Sequence, residues 1–586
     1  MKKAFAIRLL LPLAGLMAAV LLAGCQEVPI DDPALPLTDQ LPAFSMPHGL
    51  MESSFQLTIT PASIRGTIYY TLDGSVPTEK SKVYKKPLPI SGTTIIRAIE
   101  KGADGSFSKI ATTSYIFEDV LDLASTPEGY PEMWGPYCQI DGRAKADYAM
   151  DPAMTKNAAL RQKMKAGLKQ IPIVSIVTDK DNFFKDSEDP DTGGIYIHTG
   201  TPVGDNIGRG WERPVSVEMF DGSNLDLTVD CGIRIHGGHS RLPEKNPKHA
   251  LRLKFKSEYG PSKLKYPVFG DSGPAEFNTL TLRTFFGNSW QHWDGNNRKR
   301  AQYERDLWHR MASAQLGMPY SNGRHVHVFI NGIYWGIYSL SERIDENFCK
   351  SHFGGKKDDY DVIKVDEEQG NSAVADAGSF AAFAELMALD GSDMAAVERL
   401  LDVDEFIDFM ILNQFGGNTD WDYHNWYALY NRGADGEWGA GAGGGRGFRF
   451  AVWDSEGIFQ SVNENILDLN NKGKPTGLFQ KLMKNTEFKA RFASRVRELS
   501  SPGGLLTAER ATALWDSLYH SIDDALYLEA ARWGDYRNAV HPYTSKGQRY
   551  DVDNYYMAER RRLLEQYFPA RLEIYLQQLR DKGWLE

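Results

Sequence analysis

A run of acids and amides lies between an apolar helix and a pair of aromatic strands, and it constrains this chain more than any other stretch. From Asp404 to Phe415 the residues Phe406, Ile407, Phe409, Met410, Ile411, Leu412 and Phe415 predict a largely buried helix ending at Gly416-Gly417. The run Asn418-Thr419-Asp420-Trp421-Asp422-Tyr423-His424-Asn425 follows directly. Trp426 to Tyr430 and Phe448 to Trp453 are rich in aromatic and apolar residues and read as two antiparallel strands joined by residues 431–447. The start of the first strand then lies beside the end of the second, which brings Asn425 next to Asp454, with Asp420 and Asp422 one short loop away. Acids and an amide thus converge without any assumption about the wider fold, as a metal site and a general base require.

Asp420 and Asn425 stand five apart. This is the spacing of the protein-kinase catalytic loop, where the Asp accepts the proton of the substrate hydroxyl and the Asn holds Mg²⁺; a second Asp beyond a hairpin completes the metal site, and Asp454 takes that place. At this Asp and Asn content the spacing alone arises by chance roughly twice, so the context carries the argument. The competing reading is that these residues cap and turn a loop, as Asp and Asn commonly do.

At the start of the chain, Met1-Lys2-Lys3 and Arg8 precede an apolar run from Leu9 to Val20 and then Leu21-Leu22-Ala23-Gly24-Cys25. A basic start, an apolar core too short to span a membrane comfortably and small residues before a Cys read as a secretory signal over residues 1–24. Leu22-Ala23-Gly24-Cys25 resembles a bacterial lipobox, which implies cleavage before Cys25, lipidation of that residue and an exported protein anchored in a bacterial membrane. Five prolines between 26 and 47 predict an extended tether over 25–47. Cys138, Cys231 and Cys349 allow at most one intramolecular disulfide and exclude a cysteine framework. A net charge of −11 argues against a basic surface for a nucleic-acid polymer.

From 48 to 118 short strands alternate with turns. Phe55-Leu57-Ile59, Ile68-Tyr70 and Ile95-Arg97-Ile99 have period two, and Asp73-Gly74 and Ser91-Gly92 separate them. These residues, with the run Ile68 to Pro77, Tyr84 and Ser114-Tyr115, resemble the immunoglobulin-like module at the C-terminal end of chitobiases and hexosaminidases, and the resemblance implies a spacer. Residues 119–168 read as a linker with some helix near Lys156 to Leu168.

A second folded region, 169–341, starts at the buried strand Ile171 to Val177 and reaches Gly232 to Arg241, where a strand runs into Gly237-Gly238 and returns as Lys248 to Phe255. Lys248, Arg252 and Lys254 differ by even numbers and share one face, a cationic wall opposite glycines that admit a phosphate. A solvated basic edge that blocks strand-to-strand association is the alternative. A helix from Tyr303 to Leu316 and a hairpin turning at Asn331-Gly332 follow, then a helical region to the end, 342–586. The parts fall in the order of a protein kinase, small lobe first.

Gly237-Gly238-His239-Ser240-Arg241 with Lys248, Arg305-Asp306-Leu307, Asn331 to Asp345, and Asp420, His424-Asn425-Trp426 with Trp453-Asp454 are similar to the CotH family of atypical kinases, first met as spore coat proteins. The resemblance implies a small immunoglobulin-like β-sandwich followed by an α+β, two-lobed kinase-like domain. It also implies transfer of the γ-phosphoryl group of ATP to Ser or Thr of exported proteins, with Mg²⁺ or another divalent cation. By that likeness Asp420 is the base, Asn425 and Asp454 hold the metal, and Gly237, Gly238, Arg252 and either Lys248 or Lys254 meet the nucleotide. Glu304 or Glu342 would pair with the lysine. Two departures stand out: the ordinary kinase glycine loop is missing, and eight glycines widen the stretch from 431 to 447. A surface adhesin or glycan-binding scaffold with a kinase-like fold is the rival reading.

Overall fold

The computed structural model describes residues 39–138, 142–198, 211–222, 225–243, 245–270, 273–366, 369–440, 443–539 and 548–586. The signal, Cys25 and most of the tether lie outside the described residues.

The N-terminal module is a β-sandwich. Alternating apolar positions produce a five-stranded sheet in the order Gly49–Leu50, Ala111–Ile116, Thr94–Lys101, Thr67–Thr71, Lys82–Val83. Leu57, Ile59, Ile68, Ile90, Ile96 and Tyr115 pack between its layers.

Seven strands then close a barrel in the order Ile173–Val177, Arg213–Phe220, Asp226–His236, Ala250–Lys254, Thr279–Arg283, Ile333–Glu342, Gly323–Ile330. Closure comes from the first strand running parallel to the last, with Ile173 opposite His327. The period of two sends Ile233, Ile235, Leu251, Leu253, Leu280 and Leu282 into the core. Their neighbours His236, Arg252, Thr281 and Arg283 therefore lie on the outer face, with Arg252 opposite Thr281. That face looks onto the second lobe.

The second lobe holds a four-stranded sheet, Ser372–Ala377, Tyr360–Asp366, Trp426–Asn431, Arg449–Val452, against helices. The helix Val403–Gly416 is buried along nearly its whole length.

Residues 119–168, expected to form a linker, are packed instead. The hairpin Met133–Cys138 with Gly142–Lys145 inserts Trp134 into the barrel core, and the helix Ala158–Leu168 packs on the helix Ala525–Trp533. The sequence hid this because the apolar residues are few, although each is large.

The module docks directly on the barrel. Ser114 Oγ lies 2.8 Å from Ser175 Oγ, and Thr112 Oγ1 donates to Ser216 Oγ at 3.1 Å, all buried. At Gly74 (φ 81°) a Cβ would sit 2.7 Å from the carbonyl oxygen of Thr178, so only glycine fits this seam. Beside it His48 places Nδ1 3.0 Å from Glu218 of the barrel, a residue with no exposed surface, and Nε2 2.8 Å from Asp226. Thr228 and the Phe220 ring complete the surroundings. A carboxylate near each ring nitrogen favours the doubly protonated, charged ring. Burial alone would lower the pKa of His48, but Glu218 and Asp226 outweigh it and raise it. The contribution to stability is thus complete below about pH 6.5, the unfolded value, and disappears as pH climbs through the raised folded value. The difference in melting temperature between wild type and His48→Gln should be largest near pH 5.5 and shrink toward pH 8.5. A difference that does not change with pH would remove the imidazolium.

Candidate functional site

The helix Val403–Gly416 ends on Gly417, which takes the left-handed conformation (φ 56°) that a tight helix exit needs. Two side chains then fix the polar loop from below. Trp421 is buried against Phe409, and Asp422 is consumed by structure, accepting from Thr476 N at 3.1 Å, Thr476 Oγ1 at 2.6 Å and Asn471 Nδ2 at 2.5 Å. With these anchored, Asp420 is pushed outward, its side chain 68 % exposed, and His424 Nε2 lies 3.1 Å from its carboxylate. Asn425 is buried and donates from Nδ2 to the carbonyl oxygen of Asp420 at 2.6 Å, which leaves its amide oxygen as the remaining acceptor.

The two strands pair as antiparallel neighbours with Trp426 opposite Val452, so Asn425 and Asp454 lie at the same end of the ribbon. Asp454 itself is left-handed (φ 52°), an uncommon state for a residue with a side chain. Asp420, His424, Asn425, Trp453, Asp454 and Glu456 line one side of a cavity of about 540 Å³. The other side comes from the barrel: His236, Gly237, Gly238, Ser240, Arg283 and the loop Thr284–Phe286.

Charge is concentrated here. Arg283 donates to Asp454 and, at 2.8 Å, to Asp306, while its guanidinium lies 4.8 Å from the centre of the Trp453 ring. Asp306 also accepts from Arg310 at 2.7 Å and from Ser455 N at 3.0 Å. Burial works to raise the Asp306 carboxyl, but Arg283 and Arg310 outweigh it and hold the group down at about 2. Burial raises Asp454, assisted by Asp306 and Asp420 and opposed by Arg283. Burial and the neighbouring Asp454 push Glu456 up to about 8. On the barrel wall, burial lowers His236 well below its ordinary range, and Arg252, Arg283, Arg241 and Arg343 add to the effect. Arg252 contacts His236 Nδ1 at 2.7 Å and is itself lowered by burial and by Arg343 and Arg234. So many guanidinium groups repel one another, and a polyanion in the cavity would relieve that repulsion.

Of the residues singled out from sequence, Asp420, Asn425, Asp454, Gly237 and Gly238 meet in this cavity, and Arg252 reaches it through His236. Four others lie elsewhere. Lys248 precedes the strand Ala250–Lys254 rather than sharing its face and drops into the interior, donating to Glu529 at 2.7 Å and to the carbonyl oxygen of Ile337 at 2.6 Å. Lys254 pairs with Glu212 at 3.4 Å. Glu304 accepts from the Tyr556 hydroxyl inside the protein, and Glu342 accepts from Asn322 N and Nδ2, each at 2.8 Å. Neither acid pairs with a lysine in the cavity. The cation beside Asp454 is Arg283, which the sequence reading overlooked; the alternation of Leu280 and Leu282 could have placed Arg283 on the outer face with Arg252.

The oxygen donors fit a hard cation. Among the described residues no group of three or more His, Cys, Asp or Glu side chains is gathered to hold a metal alone. Mg²⁺ is commonly held by one or two carboxylates together with water and substrate phosphates, and Asp454 with the Asn425 amide oxygen offers the protein's share of that set.

The profile of the CotH kinase protein family matches residues 233–564, more than half of the chain. The chain belongs to the CotH kinase family. The CotH match takes in every residue named in the cavity, but it starts inside the strand Asp226–His236 and omits the first two strands of the barrel. The chitobiase/beta-hexosaminidase C-terminal domain profile matches residues 46–112, the N-terminal module. No curated protein matches the chain.

Because Lys248 and Glu529 are both fully buried, removing one partner leaves an uncompensated charge. Lys248→Met should cost about 3–5 kcal/mol in urea denaturation. The folded fraction should keep its response to Mg²⁺ and ATP, and loss of that response at unchanged stability would return Lys248 to the nucleotide.

Proposed function

We propose that this protein is an exported, lipid-anchored kinase that transfers the γ-phosphoryl group of ATP to Ser or Thr hydroxyls of surface or exported proteins. The observation that carries the reading is that Asp420, Asn425 and Asp454, from one end of a strand pair, share a cavity with Arg283 and the Gly237-Gly238 turn. Gly237 (φ 101°) takes the left-handed backbone that favours glycine, and a Cβ there would lie 2.3 Å from Ser240 Oγ, whose hydroxyl also lines the cavity. Arg283 and the arginines behind His236 supply positive charge.

Asp454 and Asn425 would hold the metal, whose chemistry would be to neutralise charge on the phosphates. Asp420, at the open rim, accepts the proton of the acceptor hydroxyl as its oxygen attacks the γ-phosphorus and the bond to the β-phosphate oxygen breaks, releasing ADP. A carboxylate at the rim suits an acceptor on a macromolecule. Cys25, by its lipobox-like setting, would carry the anchor.

Mg²⁺ and ATP together should raise the melting temperature of the wild type, and Asp454→Ala should abolish both that rise and phosphate transfer from labelled ATP. Asp420→Ala should keep the rise and lose transfer by about 10²–10⁴-fold. A wild type that neither responds to nucleotide nor labels itself or any protein, yet binds on a glycan array, would replace the kinase with the scaffold.

A further inference from the structure

Glu456 lines the cavity, and neither a metal-binding nor a proton-transfer role uses it. Its bonds run to the other lobe. The carboxylate accepts from the backbone N–H of Gly287, and its carbonyl oxygen accepts from Asn288 Nδ2 at 2.7 Å. Gly287 and Asn288 belong to the barrel loop that follows Arg283, and this loop is entered through Phe285 in the left-handed region (φ 57°), where a bulky side chain is out of place. Asp454, two residues before Glu456, is left-handed as well. Two strained turns therefore face each other across the cavity, and Glu456 joins them. Backbone of this kind persists only where its surroundings fix it.

The approach is close. A Cβ on Gly287 would lie 2.9 Å from Glu456 Oε2, so a side chain at that position displaces the carboxylate. The residue between the two acids is tied to the helix Arg305–Gln315, since Ser455 N donates to Asp306 Oδ1 at 3.0 Å. Both residues after Asp454 are thus held by hydrogen bonds, Glu456 across the lobe boundary, and the direction of the Asp454 side chain follows from where they are held.

We propose that Glu456 is a positioning residue: by clamping the loop Phe285–Asn288 to the Asp454 turn, it aims the Asp454 carboxylate at the bound cation. This rests on the reading of the cavity as a nucleotide and metal site. What the role demands is an acceptor for the Gly287 amide, which a carboxamide supplies as well as a carboxylate.

Three variants separate this from the alternatives, read by the Mg²⁺ concentration that gives half of the ATP-induced rise in melting temperature. Loss of the hydrogen bond to the Gly287 amide predicts that Glu456→Ala raises this concentration roughly tenfold. Gly287→Ala should do the same from the other side of the contact, while Glu456→Gln stays within about twofold of wild type. ATP affinity without metal should not change, which a general loss of structure would not spare. Amide exchange without any ligand gives a second readout: residues 285–288 should exchange faster in Glu456→Ala than in wild type or Glu456→Gln. If Glu456→Gln is as impaired as Glu456→Ala while Gly287→Ala is normal, the carboxylate binds the cation directly and the clamp is wrong. Unchanged Mg²⁺ dependence and exchange in Glu456→Ala would also overturn it. A wild type with no response to Mg²⁺ and ATP removes the site reading and this proposal with it, whereas a normal wild type beside a normal Glu456→Ala removes the clamp alone.

Discussion

Asp306 carries its charge where only 5 % of its side chain meets water, and two guanidinium groups keep it there. An isolated carboxylate in such a place would protonate or drive the structure apart. Paired with Arg283 and Arg310 and bonded to Ser455 N, it becomes the hub from which the cavity is built. Arg283 spans from this hub to the half-exposed Asp454, so the barrel and the second lobe are joined through a chain of alternating charge. Replacing such a chain with apolar residues of matching volume is often neutral for stability, so its value lies in register: it defines how the two lobes meet.

The parts of this arrangement that sequence reveals are those fixed by neighbours along the chain. The buried helix, the glycine exit, the polar loop and the strand pair lie within about sixty residues, and their order alone brings Asn425 and Asp454 to one end of a ribbon. The resemblance to the CotH family adds order among the parts, and the profile match gives it a firm basis. What sequence hides is the identity of long-range partners. Whether Lys248 faces the cavity or the interior depends on Glu529, which is 281 positions away, and on a strand that starts only at Ala250. Arg283 has the inverse history. Its strand face was readable from Leu280 and Leu282, but its importance comes from Asp306 and Asp454, to which no local pattern points.

The N-terminal module illustrates a different limit. Its alternation and turns identify a sandwich, and residues 46–112 match the chitobiase/beta-hexosaminidase C-terminal profile. The resemblance implies a spacer, and the structure adds that the module shares a buried seam of hydroxyl pairs with the barrel, where Ile95 and Ile116 enter an apolar cluster with Ile173 and Phe220. Small polar residues such as Thr112 and Ser114 look like surface in a sequence, and only the docked partner shows that they are interior.

Barrel closure has a consequence for where the folded unit begins. The strands Ile173–Val177 and Arg213–Phe220 lie upstream of the family match, yet they fill the gap between Asp226–His236 and Gly323–Ile330. A fragment cut at the family boundary would expose two bare strand edges with open N–H and C=O groups, the kind of surface that recruits foreign strands. The minimal autonomous piece therefore extends well ahead of the homologous region, and those upstream strands belong to the kinase-like body as fully as any residue in the cavity.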